Sequence, residues 1–170
     1  MDQMTRADVT RVFNSPFELG FRMVYLLSAL RPAGVDLQKL ILLDYAVVYS
    51  GDLGGPESLH TPVPYRGSEL LSRRTLIEQG LHLMSTRGLV TARMDEEGIT
   101  YIAGPTALSL VGSVTAPYFM RLHQRCEWAA RRFGQTGTDA LTREFTEQGH
   151  RWGAELEGFT LERSGQWRFD

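Results

Sequence analysis

The chain has 170 residues, 42% hydrophobic and 22% charged, with a formal net charge of −2 and a pI near 6.1. That length suits one core domain with an appendage, leaves little room for extended disorder, and provides no global basic field to attract nucleic acid or anionic lipid. A single cysteine, Cys126, excludes a disulfide framework and any CxxC motif; the start MDQMTRADVTRVF lacks a signal-peptide core, and no apolar run approaches the ~18 residues of a membrane span. These features together lead to the expectation of a cytoplasmic protein that does not contact membranes.

Residues 1–14 read as a flexible N-terminus. At Ser15-Pro16-Phe17-Glu18 an N-cap serine, a first-turn proline and a capping-box glutamate predict a helix over about 16–30. Its apolar stripe is Leu19, Met23, Leu26, Leu27 and Leu30, and Arg31-Pro32 ends it. Asp36 caps a second helix, about 37–49, whose apolar residues surround Lys39 and Asp44 on nearly every side, so it belongs at the centre. Residues 50–66, SGDLGGPESLHTPVPYR, carry three glycines and three prolines without periodicity, and predict a long ordered loop with Leu53, Leu59 and Tyr65 on its underside.

A third helix over about 68–86 follows, with Leu70, Ile77, Leu81 and Met84 on one face and a stop at Arg87-Gly88. Two short strands then flank the turn Asp95-Glu96-Glu97-Gly98. Three helices followed by a hairpin are the order of a winged helix-turn-helix, so the fold class is mainly α with a small β part (α+β), and its core spans residues 15–103. Residues 104–170 supply C-terminal helices packed on that core: one from Thr115-Ala116-Pro117 to Phe133 with the stripe Phe119, Leu122, Cys126, Ala129 and Phe133, and one capped by Thr138. A terminal hairpin turns at Ser164-Gly165.

Motifs for catalysis are sparse. The only lysine, Lys39, lies inside a helix with no glycine loop before it, which excludes a P-loop, and there is no G-x-S-x-G elbow. His123 and Cys126 form at most half a metal site and read as a helix face with a buried thiol. Asp44, Asp52 and His60 could in principle converge as an acid-base or metal cluster, as for a small hydrolase, but nothing in their spacing requires it, and Asp44 more simply satisfies backbone donors of the adjacent loop. No enzyme activity, cofactor or metal is expected.

For nucleic acid, residues 66–93 hold Arg66, Arg73, Arg74, Arg87 and Arg93 against Glu69 and Glu78, a balance of +3 that the three acids of the wing tip cancel. Only weak, non-specific DNA contact is expected there, through Arg73 and Arg74. The helix after the wing is a better basic face, with Arg121, Arg125, Arg131 and Arg132 against Glu127; Arg121, Arg125 and Arg132 are candidates for an acidic partner or a DNA backbone. In the loop, Asp52, His60 and Arg66 are candidates for partner contact, because rigidly presented loops often carry interaction sites.

The stretches NSPFELGFRMVYLLSAL, LQKLILLDYAVVYSGDLGGPESLHTPVPYRGSELLSRRTLIEQGL and RGLVTARMDEEGITYIA together resemble the second class of middle component of bacterial ABC-three-component systems. The resemblance spans about residues 14–103 and implies a small non-enzymatic adaptor or regulatory subunit. Its implied partners are an SMC-like ABC ATPase and a third component, in systems similar to Lamassu-type antiphage defence. A winged-helix transcription regulator is the alternative reading.

Overall fold

The computed structural model describes residues 15–62 and 69–149. Ser15 Oγ accepts the Glu18 amide at 3.2 Å and Pro16 takes the first helical position, so the first helix, α1, begins where its local signals place it and runs Pro16–Leu30. Strand β1 is only Val35–Asp36. Asp36 Oδ1 then accepts the Lys39 amide at 2.9 Å and opens α2, Leu37–Val48, in which every residue from Leu40 to Val48 is buried. A 3₁₀ turn, Ser50–Leu53, starts the loop that follows.

Helix α3 spans Glu69–Ser85, and the hairpin is β2, Val90–Asp95, with β3, Gly98–Ala103. The sheet is antiparallel with order β1-β3-β2, and its registers include Val35↔Tyr101 and Met94↔Ile99. Gly98, at φ 121°, closes the turn in a conformation that side chains rarely adopt. A short α4, Ala107–Ser113, precedes α5, Pro117–Phe133, and α6, Thr138–Gly149. Neither β1 nor α4 was expected from the sequence. The proposed terminal hairpin, Tyr65 and residues 1–14 lie outside the described residues.

Helix α1 packs against α3, α5 and α2. Where α1 meets α3 the backbones touch: a Cβ on Gly20 would lie 2.6 Å from the Gly80 carbonyl oxygen, and one on Gly80 would lie 2.6 Å from that of Pro16. Of the α5 stripe read from its periodicity, Leu122, Cys126, Ala129 and Phe133 are fully buried and Phe119 is part-buried, and Leu141 and Phe145 of α6 are fully buried. Lys39 extends from α2 to donate to the carbonyls of Gly134 at 2.8 Å and Thr136 at 2.7 Å, while Asp36 Oδ2 accepts the Thr138 hydroxyl at 2.5 Å. One ammonium and one carboxylate thus join the start of α2 to the α5–α6 junction, and the part-buried lysine satisfies two carbonyls there.

Candidate functional site

Two charged side chains on the central helices have to be neutralised, and they neutralise each other. Arg22 of α1 grips Asp44 of α2 with both prongs, Nε to Oδ1 and Nη2 to Oδ2, each at 2.9 Å. Arg73 of α3 adds Nη1 to Oδ2 at 3.2 Å, and its guanidinium also lies 5.6 Å from the Tyr49 ring centroid. All three side chains are at most 5% exposed. Burial alone would push the Asp44 carboxyl up, but the charge and hydrogen bonds of Arg22, with the charge of Arg73, hold it below the usual carboxylate range. Burial likewise opposes the Arg22 charge, and the Asp44 carboxylate more than restores it.

The loop is folded over this triad by its own polar groups. The Ser50 hydroxyl donates toward the carbonyls of Pro56, at 2.8 Å, and Glu57, at 3.2 Å, and the Gly51 amide donates to Ser58 Oγ at 3.1 Å. The His60 amide returns to the Val48 carbonyl at 3.2 Å. Tyr45 Oη donates to Asp52 Oδ2 at 2.7 Å, and His60 Nε2 is 2.9 Å from Tyr118 Oη. From α5, Arg125 Nε donates to the Glu57 carbonyl at 2.8 Å, and Trp128 lies so close over Gly55 that a Cβ there would collide with the indole. Leu59 is buried and Leu53 packs on the core, the undersides foreseen for them.

Beside the triad, α1 and the start of α5 leave an apolar groove of about 310 Å³, lined by Phe17, Glu18, Phe21, Arg22, Tyr118 and Phe119. Aromatic rings run along it in contact: Phe17 to Phe21 at 5.9 Å between centroids, Phe21 to Phe119 at 5.2 Å, Phe119 to Tyr118 at 5.3 Å and Tyr118 to His60 at 6.0 Å. Burial, helped by the guanidinium of Arg22 and opposed by the Asp44 carboxylate, lowers the His60 pKa to about 4, so its imidazole is neutral at pH 7. Burial likewise pushes the Tyr118 hydroxyl up to about 12 and the Cys126 thiol well above its ordinary value. Chemically the cluster is a neutral imidazole–phenol pair above a saturated ion triad, and among the described residues no group of three or more His, Cys, Asp or Glu could hold a metal ion.

Several expectations change with this geometry. Asp44 does not serve loop backbone donors; two guanidiniums on neighbouring helices take its lone pairs. Arg73, expected to face DNA, is 4% exposed and turned into the core by that carboxylate. Asp52 and His60 are part-buried and bonded within the molecule, and Arg66 lies outside the described residues. On the surface, Arg74 is 3.8 Å from Glu78 in an i, i+4 pair, Arg125 clamps the loop, and Arg132 reaches Glu144 at 2.8 Å while lying 4.7 Å from the Phe133 ring centroid. Arg121 stands exposed near the start of α5. Sequence reasoning missed Arg22 and Tyr118. A signal for Arg22 was present: it interrupts the apolar side of α1 between Leu19 and Met23, while Asp44 sits inside an apolar α2 and demands a counter-charge.

A family model described as ABC-three component (ABC-3C) system Middle Component 2 matches residues 12–155. No curated protein and no solved structure matches the chain.

Proposed function

The chain belongs to the middle component 2 family of ABC-three-component systems, and we propose that it acts there as a non-enzymatic adaptor that bridges an SMC-like ABC ATPase and the third component, in a defence system similar to Lamassu. The family match is the observation that carries this reading. The element order α1-β1-α2-α3-β2-β3 with sheet order β1-β3-β2 supports a winged helix as the adaptor's core.

The chemistry of the candidate site favours architecture over turnover. A carboxylate shared by two guanidiniums is a poor base, and a histidine with its pKa lowered to about 4 is mostly unable to carry a proton near neutrality. Asp52 and His60 then shape the loop instead of touching a partner directly. Burial of Arg73 also removes one positive charge from the α3 surface, while Asp95, Glu96 and Glu97 remain exposed at the hairpin. Any binding to duplex DNA should therefore be weak, indifferent to sequence and steeply weakened by salt.

Affinity purification of the chain co-expressed with the other components of its own operon tests the proposal. Retention of the ATPase and the third component is the expected result. A chain that purifies alone and binds one duplex sequence with nanomolar affinity at physiological salt would instead be a transcription regulator.

A further inference from the structure

From the hairpin register we infer that the β2–β3 tip is a docking arm, and that its site on a partner subunit is an apolar socket rimmed by arginine or lysine. This rests on the subunit reading above and adds the surface and the chemistry of its partner.

Side chains alternate across a sheet, so the register places Val90 with Ala103, Ala92 with Tyr101, and Met94 with Ile99 on one face. Although Ala92 is already exposed, the inner part of that face is seated through Val90, 2% exposed, and through Tyr101 and Ala103, which pack on the core. Its outer end is not. Met94 is 81% exposed and Ile99 46%, directly opposite each other. The apolar face therefore continues past the edge of the body that covers its inner half.

This end is ordered, so it can be presented without first being folded. Cross-strand pairing reaches Asp95↔Gly98, and Asp95 Oδ1 accepts the Glu97 amide at 2.9 Å to close the turn. A thioether opposite a branched side chain is an adaptable apolar pair. The charge at the tip selects among occupants. Asp95, Glu96 and Glu97 repel a phosphate backbone and complement a basic rim, which fits a protein surface and disfavours nucleic acid. A second copy of this chain is the competing occupant, since Arg121 and Arg131 of its basic helix are exposed even though Arg125 and Arg132 are bonded to the Glu57 carbonyl and to Glu144, and the test below separates the two.

Titration of the purified chain against the co-expressed ATPase and third component tests the arm. Two variants are compared with the unaltered chain: Met94→Ser with Ile99→Ser, and Glu96→Lys with Glu97→Lys, the latter keeping Asp95 to close the turn. The first should weaken binding about tenfold or more, as truncation at the centre of an interface does. The second should weaken it too and flatten its dependence on salt. Unchanged melting temperatures establish that both variants fold.

If the unaltered chain assembles and both variants bind as it does, the arm is not a docking element. Concentration-dependent self-association that the serine variant abolishes would assign the tip to a second copy and overturn the stated partner. An unaltered chain that binds neither component sinks the subunit reading, and this inference with it.

Discussion

The loop after α2 and the hairpin after α3 both leave the helical body, and they treat their side chains in opposite ways. In the loop, the polar groups that look suited to a partner are engaged at home: Asp52 with Tyr45, His60 with Tyr118, and Ser50 and Ser58 with loop backbone. At the hairpin tip, Met94 and Ile99, which elsewhere would fill a core, are 81% and 46% exposed. Polarity in a segment therefore does not by itself mark groups that are free for a partner. What counts is whether its hydrogen bonds and apolar area are already satisfied.

The loop side should be where substitutions cost stability. Asp44→Ala leaves two guanidiniums facing each other in the interior, and breaking a buried pair in this way costs about 3 to 5 kcal/mol. Denaturant titration should show a loss of that size, or no folded protein. A loss below about 1 kcal/mol would mean that the triad is hydrated and that the loop does not depend on it.

Acid should produce the next largest effect, through His60. Its pKa is about 4 in the folded chain against 6.5 for an unperturbed histidine, so between those values the unfolded chain takes up a proton that the native one refuses. This contribution is fully present above pH 6.5 and is lost as pH falls toward 4, up to about 3 kcal/mol in the limit. Asp44, held ionised by its guanidiniums, does not cancel it in that window. Denaturation midpoints measured from pH 7 to 4.5 should fall less steeply in His60→Gln than in the unaltered chain. Parallel curves would show that the imidazole is freely solvated.

Smaller losses sharpen the contrast. Arg125→Ala removes one exposed hydrogen bond to the Glu57 carbonyl and should cost about 1 kcal/mol, seen as faster proteolysis within the loop. Met94→Ser with Ile99→Ser should shift stability by only about 0.5 kcal/mol per site. A melting temperature lowered by many degrees in that double variant would mean the hairpin tip is part of the core after all.

Much of this layout was legible in the sequence because its causes are local. Ser15, Asp36, Pro16 and Pro117 announce helix starts through their own backbone preferences, and the stripes of α1 and α5 follow from the helical period. The parts that stayed hidden depend on which surfaces meet. Strand β1 exists because Val35 and Asp36 find Tyr101 and Thr100 across the sheet, and two residues carry too short a pattern to announce that. Arg73 has the spacing of a surface arginine, and only the approach of α2 turns it inward. The aromatic groove likewise joins rings of α1 and α5, elements that local patterns cannot place side by side.

The abutting glycines of α1 and α3 bear on the order of folding. Gly20 and Gly80 are far apart in the chain, and their contact encloses β1, α2 and the whole loop. Bringing them together costs loop-closure entropy before any packing rewards it, and that cost is lowest once the enclosed segment is already compact. The seating of α3 on α1 is therefore expected at a late stage of folding. A methyl group added at either glycine should act mainly by hastening escape from the native state, with little effect on the speed of reaching it.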